Sequence, residues 1–426
     1  MLMGSAIAAV VIFGLAYVFI IRGRPSPVVM VLIGASLLVI VGVITSGEAL
    51  QHIDLNVILL LAAMMVMADI MGRTGVFDWL AYKGVKITKG KGFALMTLLM
   101  IATAIVSAFI DNVTTVVLIF PITLALCRTL ALNPVPFLLG EIFASNIGGT
   151  ATIVGDPPNI IAASVGHIDF LTFLINIVPV SILGMVVLIG LMWFWFRKEV
   201  RVPAKIRNPA LRGIPDDLIK DPKMLWRCLV VFFLTTVGFL LHHLIHVEVA
   251  FIAMGGAALM MLVAKADPGD VLHKVEWPTL GLFVGLFILV GGLVETGVIS
   301  RVQDIMVQIS GGNDNILAII LIWGGGLASG IVDNIPYTAA ASEVVHGLTA
   351  SSGPEGVNPL WWALVLGADF GGNSTIVGAS ANLIVVNLAR KAGHPISVGR
   401  FFKYGSVVSV ATLIISTAYV LLLYYS

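Results

Sequence analysis

The sequence predicts an all-α polytopic membrane protein made of two inverted repeats of five transmembrane helices, each with a re-entrant hairpin and a broken helix. Three observations carry this. Of 426 residues, 59% are hydrophobic and only 11% charged, where a soluble domain carries about 25% charged residues. Apolar runs long enough to cross a bilayer recur along the whole chain. The chain also repeats itself: Ser107-Ala-Phe-Ile-Asp111-Asn112-Val-Thr114 is echoed 222 residues later by Ser329-Gly-Ile-Val-Asp333-Asn334-Ile-Pro336. A second echo pairs Gly148-Gly149-Thr150-Ala-Thr152-Ile-Val-Gly155-Asp156-Pro157-Pro158-Asn159 with Gly371-Gly372-Asn373-Ser-Thr375-Ile-Val-Gly378-Ala379-Ser-Ala-Asn382.

Uninterrupted spans are expected near 3–21, 28–46, 55–72, 170–196, 225–241, 247–264, 277–294 and 401–424. The first reads as a retained helix, since it lacks a basic leader and a small-residue cleavage site. Four further apolar stretches are broken by the repeated motifs. These are the hairpins 93–131 and 315–349 and the broken helices 136–165 and 359–389. Irregular backbone at membrane depth survives only where protein buries it or it lines a cavity. The first repeat thus runs over 1–197, a linker over 198–224 and the second repeat over 225–426. Segments 74–88 and 297–312 read as interfacial amphipathic helices leading into the hairpins.

Loop charge sets orientation. Arg22, Arg24, Lys83, Lys86, Lys89, Lys91 and Arg128 fall on one side, with the 197–227 segment, which holds nine of the 24 Lys and Arg residues. That side is cytoplasmic, as are Lys265, Lys274, Arg390, Lys391, Arg400 and Lys403. The turn Glu48–Asp54, His167, His242, His243, His246 and the loop 350–358 then lie outside. Both termini are expected to be external, in what reads as a bacterial inner (plasma) membrane. Because Glu48–Asp54 is outside and its echo Asp270–Glu276 inside, the halves are inverted.

The polar residues at the breaks are the candidate site. Intramembrane carboxylates are costly and face a cavity or a partner. Asp111, Asp333, Asp156, Asp369 and Glu141 are the candidates for proton coupling. Asp111, Asn112, Thr114, Asn146, Gly148, Gly149, Thr150, Thr152, Asp333, Asn334, Asp369, Gly371, Gly372, Asn373 and Thr375 are the candidates for binding solute. Gly155, Pro157, Pro158, Asn159, Gly378 and Asn382 are expected to shape the helix breaks, since Pro suits a first helical turn. Opposed half-helix ends offer N–H groups to one part of a solute and carbonyls to another. A lone Asp-Asn pair reads equally well as an interhelical hydrogen bond; two copies in register, each followed by a Gly-Gly break, favour a site.

Cys127 and Cys228 offer no metal-ligand spacing and no disulfide framework; no metal and no cofactor is expected. A net charge of +1 gives no ground for nucleic-acid binding. An intramembrane aspartyl protease would use paired aspartates, but it leaves the four polar breaks without a purpose, so the protein is not expected to be an enzyme.

At Thr74-Gly-Val-Phe-Asp-Trp-Leu-Ala-Tyr82, Ser107 to Thr115 and Asn146 to Ile160, the chain resembles the ion transporter superfamily. Within it the likeness is to the branch of ArsB-type arsenite and antimonite efflux permeases and the melanosomal P protein. The resemblance implies a scaffold domain, a transport domain holding both hairpins, elevator-type alternating access and a solute at the hairpin tips. It also admits a soluble ATPase subunit on the cytoplasmic face. More distant dicarboxylate carriers have Ser-Asn-Thr tips, where this chain has Asp111-Asn112-Val113-Thr114 and Asp333-Asn334-Ile335-Pro336. That departure favours protons over sodium, and a neutral hydroxyl-bearing solute such as arsenious or antimonious acid. A di- or tricarboxylate such as citrate, or sodium–proton exchange, is the alternative.

Overall fold

The computed structural model describes residues 2–22, 26–202, 219, 221–349 and 358–424. Most of the linker, the loop 350–357 and Arg24 lie outside the described residues. What is described is helical, with no strand. The first ten helices are α1 Leu2–Arg22, α2 Pro27–Ile40, α3 Ser46–Gln51, α4 Leu55–Arg73, α5 Val76–Ile87, α6 Gly92–Ser107, α7 Asn112–Thr129, α8 Val135–Gly149, α9 Pro157–Val165 and α10 Phe170–Phe196. The next ten are α11 Pro222–Ile245, α12 Val249–Ala264, α13 Pro268–Leu272, α14 Trp277–Glu295, α15 Val298–Ser310, α16 Asp314–Val332, α17 Asn334–Thr349, α18 Pro359–Gly371, α19 Ser380–Lys391 and α20 Val398–Tyr424. Helix order therefore recurs with an offset of ten elements. α4 and α14 match to the residue, 222 positions apart.

Among the described residues, seven helices are long and apolar enough to cross a membrane: α4, α7, α10, α11, α14, α16 and α20. Polar caps set many of the ends. Asp54 accepts from the Asn56 and Val57 amides at 2.9 and 3.2 Å and starts α4. Asp169 accepts from Thr172 N at 2.9 Å and starts α10. Each satisfies N–H groups that the first helical turn leaves unpaired. The span expected over 28–46 is shorter than its hydropathy suggested. α2 stops at Ile40, Gly42 turns the chain with φ +77°, and a Thr45–Glu48 capping box opens the short α3.

Two helix layers result. α2 packs on α14 and α4 on α12, with α1 and α11 alongside. The other layer holds the motif-bearing helices: α6 packs on α8, α16 on α18, and α10 and α20 flank them. Every residue of α8 is buried, as is α18 from Leu360 onward. A helix that is apolar all round belongs in the interior, and these two place the breaks at the centre. The halves interlock there: α17 packs on α9, and α7 on α19.

Candidate functional site

Each hairpin turns at its Asp-Asn pair. Asp111 accepts from Thr114 N at 3.0 Å, which starts α7. Asp333 stands alone between α16 and α17 at φ +118°, a conformation that non-glycine residues seldom adopt. It is held on three sides: Oδ1 accepts from Ile335 N at 3.0 Å, Oδ2 from Ser380 Oγ at 3.0 Å, and the next amide, Asn334 N, donates to Gly378 O at 3.2 Å.

Between the half-helices α8 and α9 the backbone unwinds, and its freed carbonyls are recovered by one side chain. Asn159 Nδ2 donates to the carbonyls of Gly149, Thr150 and Thr152 at 3.1, 3.3 and 2.9 Å. In the second half Asn382 Nδ2 donates to Gly372 O and Thr375 O, both at 2.8 Å. Buried peptide groups must be paired, so an asparagine at this position makes the break possible. Thr152 and Thr375 tie the breaks to the hairpins: Thr152 Oγ1 donates to Ala108 O, and Thr375 Oγ1 to Gly330 O at 2.5 Å. Pro157 and Pro158 occupy the first turn of α9. Gly148 and Gly371 permit backbone contact: a Cβ on Gly148 would lie 2.3 Å from Ala104 O, and one on Gly371 2.4 Å from Gly326 Cα. In this structure those glycines face protein backbone.

The two halves meet in one buried polar cluster. Asp156 Oδ2 accepts from Asn112 Nδ2 at 2.8 Å, and Asp156 also receives the amide of Asn334 at 3.4 and 3.5 Å. Asn146 Nδ2 donates across the halves to Asn373 Oδ1 at 3.0 Å and Asn382 Oδ1 at 2.9 Å. Thr150 Oγ1 donates to Asn146 O at 2.8 Å. Asp369 lies beside Thr150 and Asn159 and acts electrostatically on Asp156, as do Asp333 and Asp111. Thr114 is half-buried at the rim, with Gly149, Gly155, Gly372 and Gly378 closing the breaks behind. Five buried polar atoms of the cluster have no hydrogen-bond partner: Asp111 Oδ2, both oxygens of Asp369, Asn159 Oδ1 and Asn373 Nδ2. Four of the five are acceptors.

Glu141 stands apart, buried and accepting from Thr123 Oγ1 at 2.6 Å. Asp69 pairs with Arg73 at 2.5 Å, away from the cluster. Among the described residues, no group of His, Cys, Asp and Glu is placed to hold a metal ion, and both cysteines are buried and free.

Several participants escaped the sequence reading. Ser145 meets Ser107 at 3.0 Å, and Ser329 donates to Ala368 O at 2.5 Å. Tyr17, on α1, donates to the Pro336 carbonyl at the second hairpin tip. His167, His242, His243 and His246, expected only to lie outside, line a cavity of about 590 Å³ that reaches Ile153 beside the first break. Ser107 and Ser329 were at least signalled by opening the two echoes; nothing in the sequence pointed to Tyr17.

Known proteins share this chain's sequence and fold. A family described as a citrate transporter matches residues 17–367. An uncharacterized transporter of Mycobacterium bovis is 38% identical over 99% of both chains. The P protein of Sus scrofa is 30% identical over 97% of this chain and 59% of its own length. The crystal structure of the YdaH transporter of Alcanivorax borkumensis, reported to have an unusual topology, superposes with a TM-score of 0.61 at 14% identity, covering 88% of this chain and 86% of that one. With that family matching residues 17–367, most of the chain, the chain belongs to the citrate transporter family of membrane transporters.

Proposed function

We propose that the chain is a secondary active transporter that exports arsenite or antimonite in exchange for protons, by elevator-type alternating access between two inverted repeats. One observation carries the choice of solute. The buried cluster holds four unpartnered acceptor oxygens against one unpartnered donor. No lysine, arginine or histidine figures among the groups acting on Asp156 or Asp369. A neutral solute with several hydroxyls supplies the hydrogens such a site lacks, whereas an anion needs donors or a cation. Burying a polyanion without either is costly. The carboxyls of Asp111, Asp156, Asp333, Asp369 and Glu141 supply proton-titratable groups at membrane depth. The recurring helix order and the hairpins facing each other across the breaks support the elevator.

The test is arsenite flux into proteoliposomes of the purified protein under an imposed pH gradient. Movement driven by the gradient is expected. Absence of arsenite movement in vesicles that move citrate would sink this reading in favour of a second, a proton- or sodium-coupled di- or tricarboxylate carrier, which the family description favours. Binding of an ATPase subunit at the basic linker belongs to the first reading, and pull-down with the full chain tests it.

A further inference from the structure

The two halves of the site differ at several paired positions, among them Thr114 against Pro336, Thr150 against Asn373 and Asp156 against Ala379, and one further difference identifies a proton. Counting back from the Gly-Gly steps at 148–149 and 371–372, Asn146 on α8 corresponds to Asp369 on α18. Likewise Asn382 corresponds to Asn159. Both of these latter asparagines spend Nδ2 on the carbonyls of their own break. Each is left with a buried Oδ1 that needs a hydrogen from the opposite half. For Asn382 the hydrogen comes from Asn146 Nδ2, at 2.9 Å. For Asn159 the corresponding residue is Asp369, and Asn159 Oδ1 has no partner.

Nor has Asp369 another use for its oxygens. Thr150, which stands beside it, gives its hydrogen to Asn146 O. Asp369 is fully buried, and neither oxygen receives a hydrogen bond of good geometry, although the side chains of Thr150 and Asn159 stand close enough to act on the carboxyl. Both oxygens of Asp369 and Oδ1 of Asn159 are thus three buried acceptors left without a well-placed donor, which is costly. The charged group it interacts with is another carboxylate, Asp156, on which Asp333 and Asp111 also act. A single proton on Asp369 resolves the arrangement: the acid O–H then does for Asn159 what the amide N–H of Asn146 does for Asn382. The other buried carboxyls have donors already. Asp156 has two amides, Asp333 an amide and a hydroxyl, Glu141 a hydroxyl, and Asp111 a backbone N–H on one oxygen, its Oδ2 being unpartnered.

We infer that Asp369 is the proton carrier of the transport cycle, held in this state as the neutral acid with its O–H donated to Asn159 Oδ1. This deepens the proton-coupled reading above and rests on it. When the breaks part and the site opens to water, Asn159 withdraws, the proton leaves to the aqueous side, and the carboxylate stays behind solvated.

The experiment is infrared spectroscopy of the full chain in liposomes, read at the C=O stretch of a protonated buried carboxyl with its deuterium shift. The wild type is expected to show this band at neutral pH. Asp369→Asn is expected to lose it, Asp156→Asn to keep it, and Asn159→Ala to shift it without removing it. A band unchanged in Asp369→Asn overturns the inference. So does a wild type with no such band, including one in which sodium ions alter the carboxylate stretch instead. This arm requires no solute, so it stands or falls separately from the arsenite assignment. In flux, Asp369→Asn is expected to lose gradient-driven movement and the pH dependence of whatever flux remains. Full uphill flux in that variant overturns the inference while leaving proton coupling, through another carboxyl, in place.

Discussion

A transmembrane helix that breaks in the middle must find donors for carbonyls that water cannot reach. Here one asparagine per half does so, and its removal is correspondingly expensive. Asn382→Ala strips the donors from Gly372 O and Thr375 O and the acceptor from Asn146 Nδ2. At about 1 kcal/mol or more for each buried group left unpaired, the expected loss is roughly 2–4 kcal/mol. It is read as a lowered thermal midpoint in detergent; a change under about 0.5 kcal/mol would show that the break is held some other way. Crowding acts at the matching glycines. Gly148→Ala sets a methyl 2.3 Å from the Ala104 carbonyl and 2.4 Å from its Cα. These are backbone atoms that cannot rotate away, so α6 and α8 must separate. Overpacking of this kind costs about 1–3 kcal/mol. Wild-type stability together with wild-type flux would contradict the close approach.

Among the elements, what the sequence revealed and what it hid divide along a physical line. The breaks were legible because each is closed locally. The asparagine that staples a break lies within ten residues of the carbonyls it serves, so motif and function share one window. Contacts between halves were not legible: Asn146 reaches Asn373 and Asn382 across 227 and 236 residues, and Tyr17 reaches Pro336 across 319. Such pairings depend on how finished helices dock. The end of α2 was misjudged because a turn at Gly42 interrupts residues that remain apolar. The Tyr17 contact also makes a prediction. It joins α1, in one layer, to the tip of the hairpin α16–α17, in the other, so it is made only while that tip sits here. Tyr17→Phe removes one hydrogen bond, about 1 kcal/mol, which shifts the balance of states by up to about tenfold. Both native cysteines can be replaced, and a single cysteine at Leu327, exposed on α16, then reports hairpin position. Faster thiol labelling in the Tyr17→Phe background is expected; equal rates would leave Tyr17 no part in holding the hairpin.

For the whole molecule, the open question is which way it faces, and the contacts at helix ends reduce it to one choice. Asp54 meets Ser164, and the Phe170 amide meets His242 at 3.1 Å. Tyr424, at the end of α20, meets Asn176 near the start of α10. These tie the 48–54 turn, the His-lined cavity and the far end of α20 to one face. At the other ends of the same helices, Glu199 receives Asn133 at 2.9 Å and lies 3.7 Å from Arg400. In sequence this second face adjoins the linker, where Lys and Arg residues crowd. The positive-inside bias acts on such juxtamembrane clusters, so we propose that the face bearing Glu199 and Arg400 is cytoplasmic and that the His cavity and the C-terminus lie outside. A periplasm-active reporter fused after Ser426 should be active, and a cytoplasm-active one fused there silent. Because the contacts lock the loops into two sets, a reporter inserted near Asn133 must give the opposite answer. If both report the same side, the grouping of the faces is wrong. If each reads opposite to expectation, the grouping stands, the protein is inserted the other way up, and the His-lined cavity opens to the cytoplasm as the solute's point of entry.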